Sequence, residues 1–145
     1  MRRHLMCLIA TFSFAAGLAH AEGPVGIAFV QAPEQSSATC FADNLDKAFA
    51  CARKKCASRD GVSAGDCLRT TWCYPSAWSA DLFIQHREGP HWHEVLCGWN
   101  SREDLLAATK LRCEGSASNY LIACTIVKSW DNGREQDVTY SKPAQ

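Results

Sequence analysis

Residues with metal-binding chemistry gather once in this 145-residue chain, at His91-Trp92-His93-Glu94, with His86 shortly before them. On an extended segment, alternation puts His91 and His93 on one face. A hairpin through Glu88-Gly89-Pro90 would bring His86 alongside. Three imidazoles and the Glu94 carboxylate could then ligate zinc or copper, with an open position for a catalytic water. The plainer reading of the same residues is an exposed turn with solvated histidines, Trp92 covering the edge of a core. The run lacks the H-E-x-x-H helix of a metalloprotease.

Other chemistries leave weaker traces. The sequence has no G-x-S-x-G elbow and no glycine-rich phosphate loop. Glu88, Glu94, Glu103 and Asp104 are candidate carboxylates for glycoside hydrolysis, but fifteen acidic residues supply many accidental pairs. Cys51-x4-Cys56 and Cys67-x5-Cys73 lack the redox C-x-x-C spacing.

The cysteines instead describe architecture. Cys40, Cys56 and Cys67 recur 57 residues later as Cys97, Cys113 and Cys124, both triplets reading C-x15-C-x10-C. Three matches in register indicate a duplicated unit stapled by disulfides.

Residues 1–21 read as a removable signal peptide. Arg2, Arg3 and His4 open a stretch from Leu5 to Leu18 that is apolar apart from Thr11 and Ser13, and Ala19-His20-Ala21 supplies the cleavage site. The apolar stretch is short for a bilayer span. Cleavage leaves 124 residues with eight cysteines. It removes Arg2 and Arg3 from fifteen basic residues and keeps all fifteen acids, for a formal charge of −2. An even cysteine count in an exported chain points to an oxidising compartment, periplasmic or extracellular, and to four bridges. The near-neutral balance argues against nucleic acid as a partner, and nothing after the leader suggests a membrane span. Arg53, Lys54, Lys55 and Arg59 form a basic run of the kind a helix C-terminus favours.

These observations predict a single α+β domain over residues 22–133, built from repeats 25–73 and 81–130, with a flexible tail at 134–145. In the first repeat, Asp43 or Asn44 caps a helix whose inward face is Leu45, Ala48, Phe49 and Ala52 and whose end is Cys56. In the second, Ser101 and Asp104 occupy capping-box positions, Leu105, Leu106 and Thr109 face inward, and Gly115 follows Cys113. Strand candidates precede each helix, at 25–31 and 37–41 and again at 81–87 and 93–99. Another follows each helix, at 67–73 and 122–130. The unit is strand, strand, helix, strand, twice over, with mostly antiparallel sheet and helices packed on one face.

A cysteine ending a helix and another opening a strand make a local staple, so Cys56–Cys67 and Cys113–Cys124 are expected, each contributing ~2–4 kcal/mol. Cys40, Cys51, Cys73 and Cys97 have three possible pairings. A pseudo-twofold axis would join the repeat equivalents Cys40–Cys97 and leave Cys51–Cys73, since Ala108 and Trp130 stand opposite those two in the second copy. That last pair meets one geometric objection, which a bend before Tyr74-Pro75 would reconcile. From the first staple, five helical residues rise about 7.5 Å, whereas six strand residues extend about 20 Å.

Val95-Leu96-Cys97-Gly98-Trp99-Asn100-Ser101-Arg102-Glu103, the alanine-bearing helix with Ala107 and Ala108, Cys113, and Cys124-Thr125-Ile126-Val127 together resemble the bacterial secreted family called domain of unknown function 4189. Gly26-Ile27-Ala28-Phe29 is similar to the strand that opens such domains, and the resemblance spans residues 25–133. Asp81-Leu82-Phe83 in place of a small-residue opening, and the additional Cys51 and Cys73, depart from the pattern. The resemblance implies a small, exported, disulfide-bearing domain and carries over no catalytic residue.

The functional expectation is an exported binding protein without catalytic activity, an inhibitor or envelope-associated factor. Its partner would be another exported protein or a cell-envelope polymer, and it would need no cofactor. Trp72, Trp78 and Trp92, near loops and strand ends, are the candidate binding surface. The competing expectation is a zinc- or copper-binding protein, or a metal-dependent hydrolase, using His86, His91, His93 and Glu94.

Overall fold

A computed structural model describes residues 23–143. The expected leader lies outside them. Strand β1 (Gly26–Ala32) turns back into β2 (Ser36–Ala42), followed by α1 (Leu45–Cys56) and β3 (Leu68–Cys73). The pattern then repeats as β4 (Trp78–His86), β5 (His91–Trp99), α2 (Arg102–Glu114) and β6 (Leu121–Asp131), with a short final strand β7 (Arg134–Gln136). Two antiparallel sheets result, ordered β2-β1-β3 and β5-β4-β6-β7. The two copies share one topology, because β1, β2 and β3 occupy the places of β4, β5 and β6.

Local chemistry accounts for the helices. Asn44 caps α1, its side-chain oxygen accepting from the Lys47 N–H, and Ser101 caps α2 by accepting from Asp104 N–H. Arg53, Lys54 and Lys55 fill the last turn of α1, where cations oppose the helix dipole. Ala48, Phe49, Ala52 and Cys56 are buried as the spacing predicts, but Leu45 at the first turn stays 41% exposed.

Each helix covers one face of its own sheet. Ala28, Val30 and Ala32 of β1 meet Phe49 and Ala52 of α1 in one core, and Ala80, Leu82 and Ile84 of β4 meet Leu105 of α2 in another. Alternation sends the intervening residues the other way. There Ile27 and Phe29 of the first sheet pack against Val95 and Trp130 of the second. The layers therefore run helix, sheet, sheet, helix, and the small third core joins the repeats.

Four disulfides staple this arrangement. Cys56–Cys67 and Cys113–Cys124 form as expected. The other two correct the symmetric pairing: Cys40 bonds Cys51 and Cys73 bonds Cys97, so neither Cys40–Cys97 nor Cys51–Cys73 exists. Cys51 lies on α1 directly over β2, which places it 5.9 Å from Cys40 between Cα atoms. In the second copy Ala108 occupies that place, and Cys97 reaches across the repeat boundary to Cys73 instead.

The expected flexible tail is a second correction for residues 134–143. Asn132 and Gly133 both adopt positive φ, the geometry of a two-residue hairpin, and pair β6 with β7. Val138 is buried in the α2 core, and the Ile126 N–H donates to the Tyr140 carbonyl.

Candidate functional site: a groove between β5 and α2

The duplication supplies an internal control for the site. In the first copy, the Cys40–Cys51 bond holds α1 down on β2, and Lys55 Nζ reaches the Thr39 carbonyl at 3.5 Å. In the second copy the staple is absent, and an open groove of about 830 Å³ lies between β5 and α2.

The groove walls changed character along with the staple. On the strand side, Thr39 and Ala42 of the first copy correspond to Leu96 and Trp99. On the helix side, Lys54 corresponds to Leu111 and Cys51 to Ala108. Leu111 is 75% exposed and Trp99 37%, so this apolar chemistry faces solvent without burial to explain it. Ala107, Ala108 and Leu111 recur at helical spacing, which gives the helical wall a continuous apolar stripe.

A polar end closes the groove. Arg112 grips Glu94 of β5 with Nε at 2.9 and 3.0 Å from the two carboxylate oxygens and Nη2 at 2.8 Å from one of them. Such a fork is a strong, directional pair, and the hydrogen bonds to Glu94 hold the guanidinium pKa above its ordinary value. The pair ties α2 to β5 beside the groove wall that Ala108 and Trp99 also line. Ser118 Oγ donates to the Arg112 carbonyl at 2.6 Å and orders the turn beneath.

The histidine cluster is divided by the sheet. His91 and His93 share a face as expected, flanking the Phe83 ring at 5.6 and 5.8 Å between centroids. Glu94 points to the opposite face, toward Arg112, and His86 lies against the Tyr120 ring at 4.9 Å. The four residues are thus not brought together, because Glu94 alternates away from His91 and His93. Nor does any group of three histidine, cysteine or acidic residues converge as a metal site among the described residues. His93 Nδ1 instead lies 2.9 Å from Asp81 Oδ1.

The three tryptophans expected to form one binding surface are separated too. Trp72 packs on the α1 core beside Phe49, whereas Trp78 and Trp92 pack on the α2 core. The aromatic that does line the groove is Trp99. Position-by-position comparison of the repeats carries the signal for it: an apolar residue replaces a small or charged one at 96, 99 and 111.

Among the described residues no helix is long and apolar enough to cross a membrane. No protein-family model, curated protein or solved structure matches this chain.

Proposed function

We propose that this is an exported interaction protein without catalytic activity, and that the β5–α2 groove receives an apolar segment of another exported protein. One observation carries the reading: where the first repeat is stapled shut, the second is open and has gained Leu96, Trp99 and Leu111 on its walls. Exposed aromatic and aliphatic side chains in a concave site are the usual anchors of recognition. Four disulfides suit an oxidising compartment, and the resemblance to domain of unknown function 4189 agrees with export. The competing metal-dependent reading draws no support from the division of His86, His91, His93 and Glu94 between two faces.

The test is differential capture from a periplasmic extract. Leu111→Asp places a charge on an exposed position and should leave melting unchanged while abolishing recovery of the wild-type partner. Equal recovery by the wild type and by Leu111→Asp would remove the groove from the function.

A further inference from the structure

A second concavity lies where the two repeats meet, and it differs from the groove in every chemical respect. It is a polar notch of about 260 Å³ between the β1–β2 turn of the first repeat and the start of β5 in the second. Neither repeat forms it alone. The His93 N–H donates to Gln31 Oε1 at 2.6 Å, joining its two walls.

The hydrogen-bonding groups in the notch are mixed and largely unspent. Asp81, 8% exposed and outside the notch lining, accepts from His93 Nδ1–H, since a carboxylate has nothing to donate. The Nε2 edge of the His93 ring adds a further polar group to the notch. Arg59 lines the notch with five donors, and its side chain has no hydrogen-bond or ion-pair partner among the described residues. Gln35 and Ser37 each add a donor and an acceptor, and Glu34 adds a carboxylate at the turn. Phe83, half-buried between the two histidines, contributes an aromatic surface.

This combination selects among ligand classes. A simple anion would satisfy Arg59 but confront the Glu34 carboxylate. A cation would do the reverse. Hydroxyl groups donate and accept at once, so a polyol satisfies both sets, and the C–H face of a sugar ring suits an aromatic surface. The volume lies below the ~300–1,000 Å³ of drug-sized pockets, which favours a single ring. We infer that the notch between the repeats is a saccharide site that takes one sugar unit, either free or at the end of a glycan chain. This site is independent of the β5–α2 groove.

The full mature protein, labelled for NMR, would be titrated with glucose, N-acetylglucosamine, glucuronic acid and the N-acetylglucosamine trisaccharide, with sulfate as an anion control. A saturable shift of the His93 and Phe83 signals with a saccharide supports the site. Arg59→Ala and Gln35→Ala, both changes away from the cores, should each weaken that binding about tenfold with melting unchanged. Tighter binding of the trisaccharide than of the monosaccharide identifies a glycan chain as the source, and equal binding identifies a free or terminal sugar. Shifts with sulfate alone, no saturable shift with any saccharide, or binding that both variants retain in full would overturn the inference. Leu111→Asp should leave saccharide binding intact, which separates this site from the groove.

Discussion

Cys97 bonds Cys73 across the repeat boundary, at 6.0 Å between Cα atoms, although its counterpart Cys40 bonds within its own repeat. Two differences between the copies, Cys51 against Ala108 and Cys73 against Trp130, accompany the diverted bond and the open groove. Without a thiol at position 108 of α2, Cys97 is free to join the repeats, and α2 is left anchored to β5 by Arg112 and Glu94.

That relationship predicts a re-stapled variant. Cys73→Ala combined with Ala108→Cys should direct Cys97 onto the introduced thiol, as Cys40 is directed onto Cys51. Peptide mapping under non-reducing conditions would show the new bond, and partner capture should fall as α2 closes over Leu96. An unpaired introduced thiol would mean that α2 cannot adopt the pose of α1, and the missing staple would not explain the groove.

Removing the inter-repeat bond alone should cost stability without disturbing either helix. Cys73→Ser with Cys97→Ser is expected to lower the free energy of unfolding by about 2–4 kcal/mol, the usual range for a native bridge. The third core is small, built on Ile27, Phe29, Val95 and Trp130, so it has little to substitute for the covalent link. Urea titration followed by far-ultraviolet circular dichroism would read the change, and a loss below about 0.5 kcal/mol would place the cohesion of the repeats in that core instead.

Gly26 is held by packing rather than by an unusual backbone angle. A Cβ there would stand 2.2 Å from the Trp72 ring, well inside contact distance. Gly26→Ala should therefore push the indole off Phe49 and destabilise by about 1–3 kcal/mol, the cost of overpacking. Trp72 fluorescence would shift red as the ring moves outward. Unchanged emission with unchanged melting would show that the first-repeat core accommodates the methyl group.

Much of this fold was legible because its signals are local. Asn44 and Ser101 announce the helix starts, Cys56 and Cys113 their ends, and the 57-residue cysteine register announces the duplication. The misreadings concern relations that a single segment does not encode. Pairing Cys40 with Cys97 followed symmetry, whereas Cys51 sits closer because α1 lies on β2. The histidine set failed on alternation at Glu94, which the sequence does carry, and on His86, whose place beside Tyr120 depends on β6. Asn132-Gly133 is a strong hairpin signal that contradicts a frayed tail. Asp81 beside His93 needs the β4–β5 register, and is invisible before the strands pair.

The ordered C-terminal segment predicts a cost for truncation. Ending the chain after Gly133 removes β7, strips Val138 from the α2 core and frees the Ile126 N–H. Burying one valine is worth about 1.5–3 kcal/mol, and the lost strand pairing adds to it. The truncated protein should melt several degrees lower, with hydrogen exchange rising along β6. Melting equal to the full chain would mean that residues 134–143 contribute no net stability.

Tyr140 gives the same segment a signature at high pH. Burial, reinforced by the 2.7 Å hydrogen bond to Glu114, raises the phenol's pKa above its ordinary value near 10. Because the folded state favours the protonated phenol, its contribution is fully present below pH 10 and is lost as the pH climbs through the raised folded value. Tyr140→Phe should destabilise at neutral pH by about 0.5–1.5 kcal/mol, the worth of an ordinary hydrogen bond. The gap between the variant and the wild type should then close as the pH rises above 10. Parallel curves across that range would show that the phenol does not couple the C-terminal segment to α2.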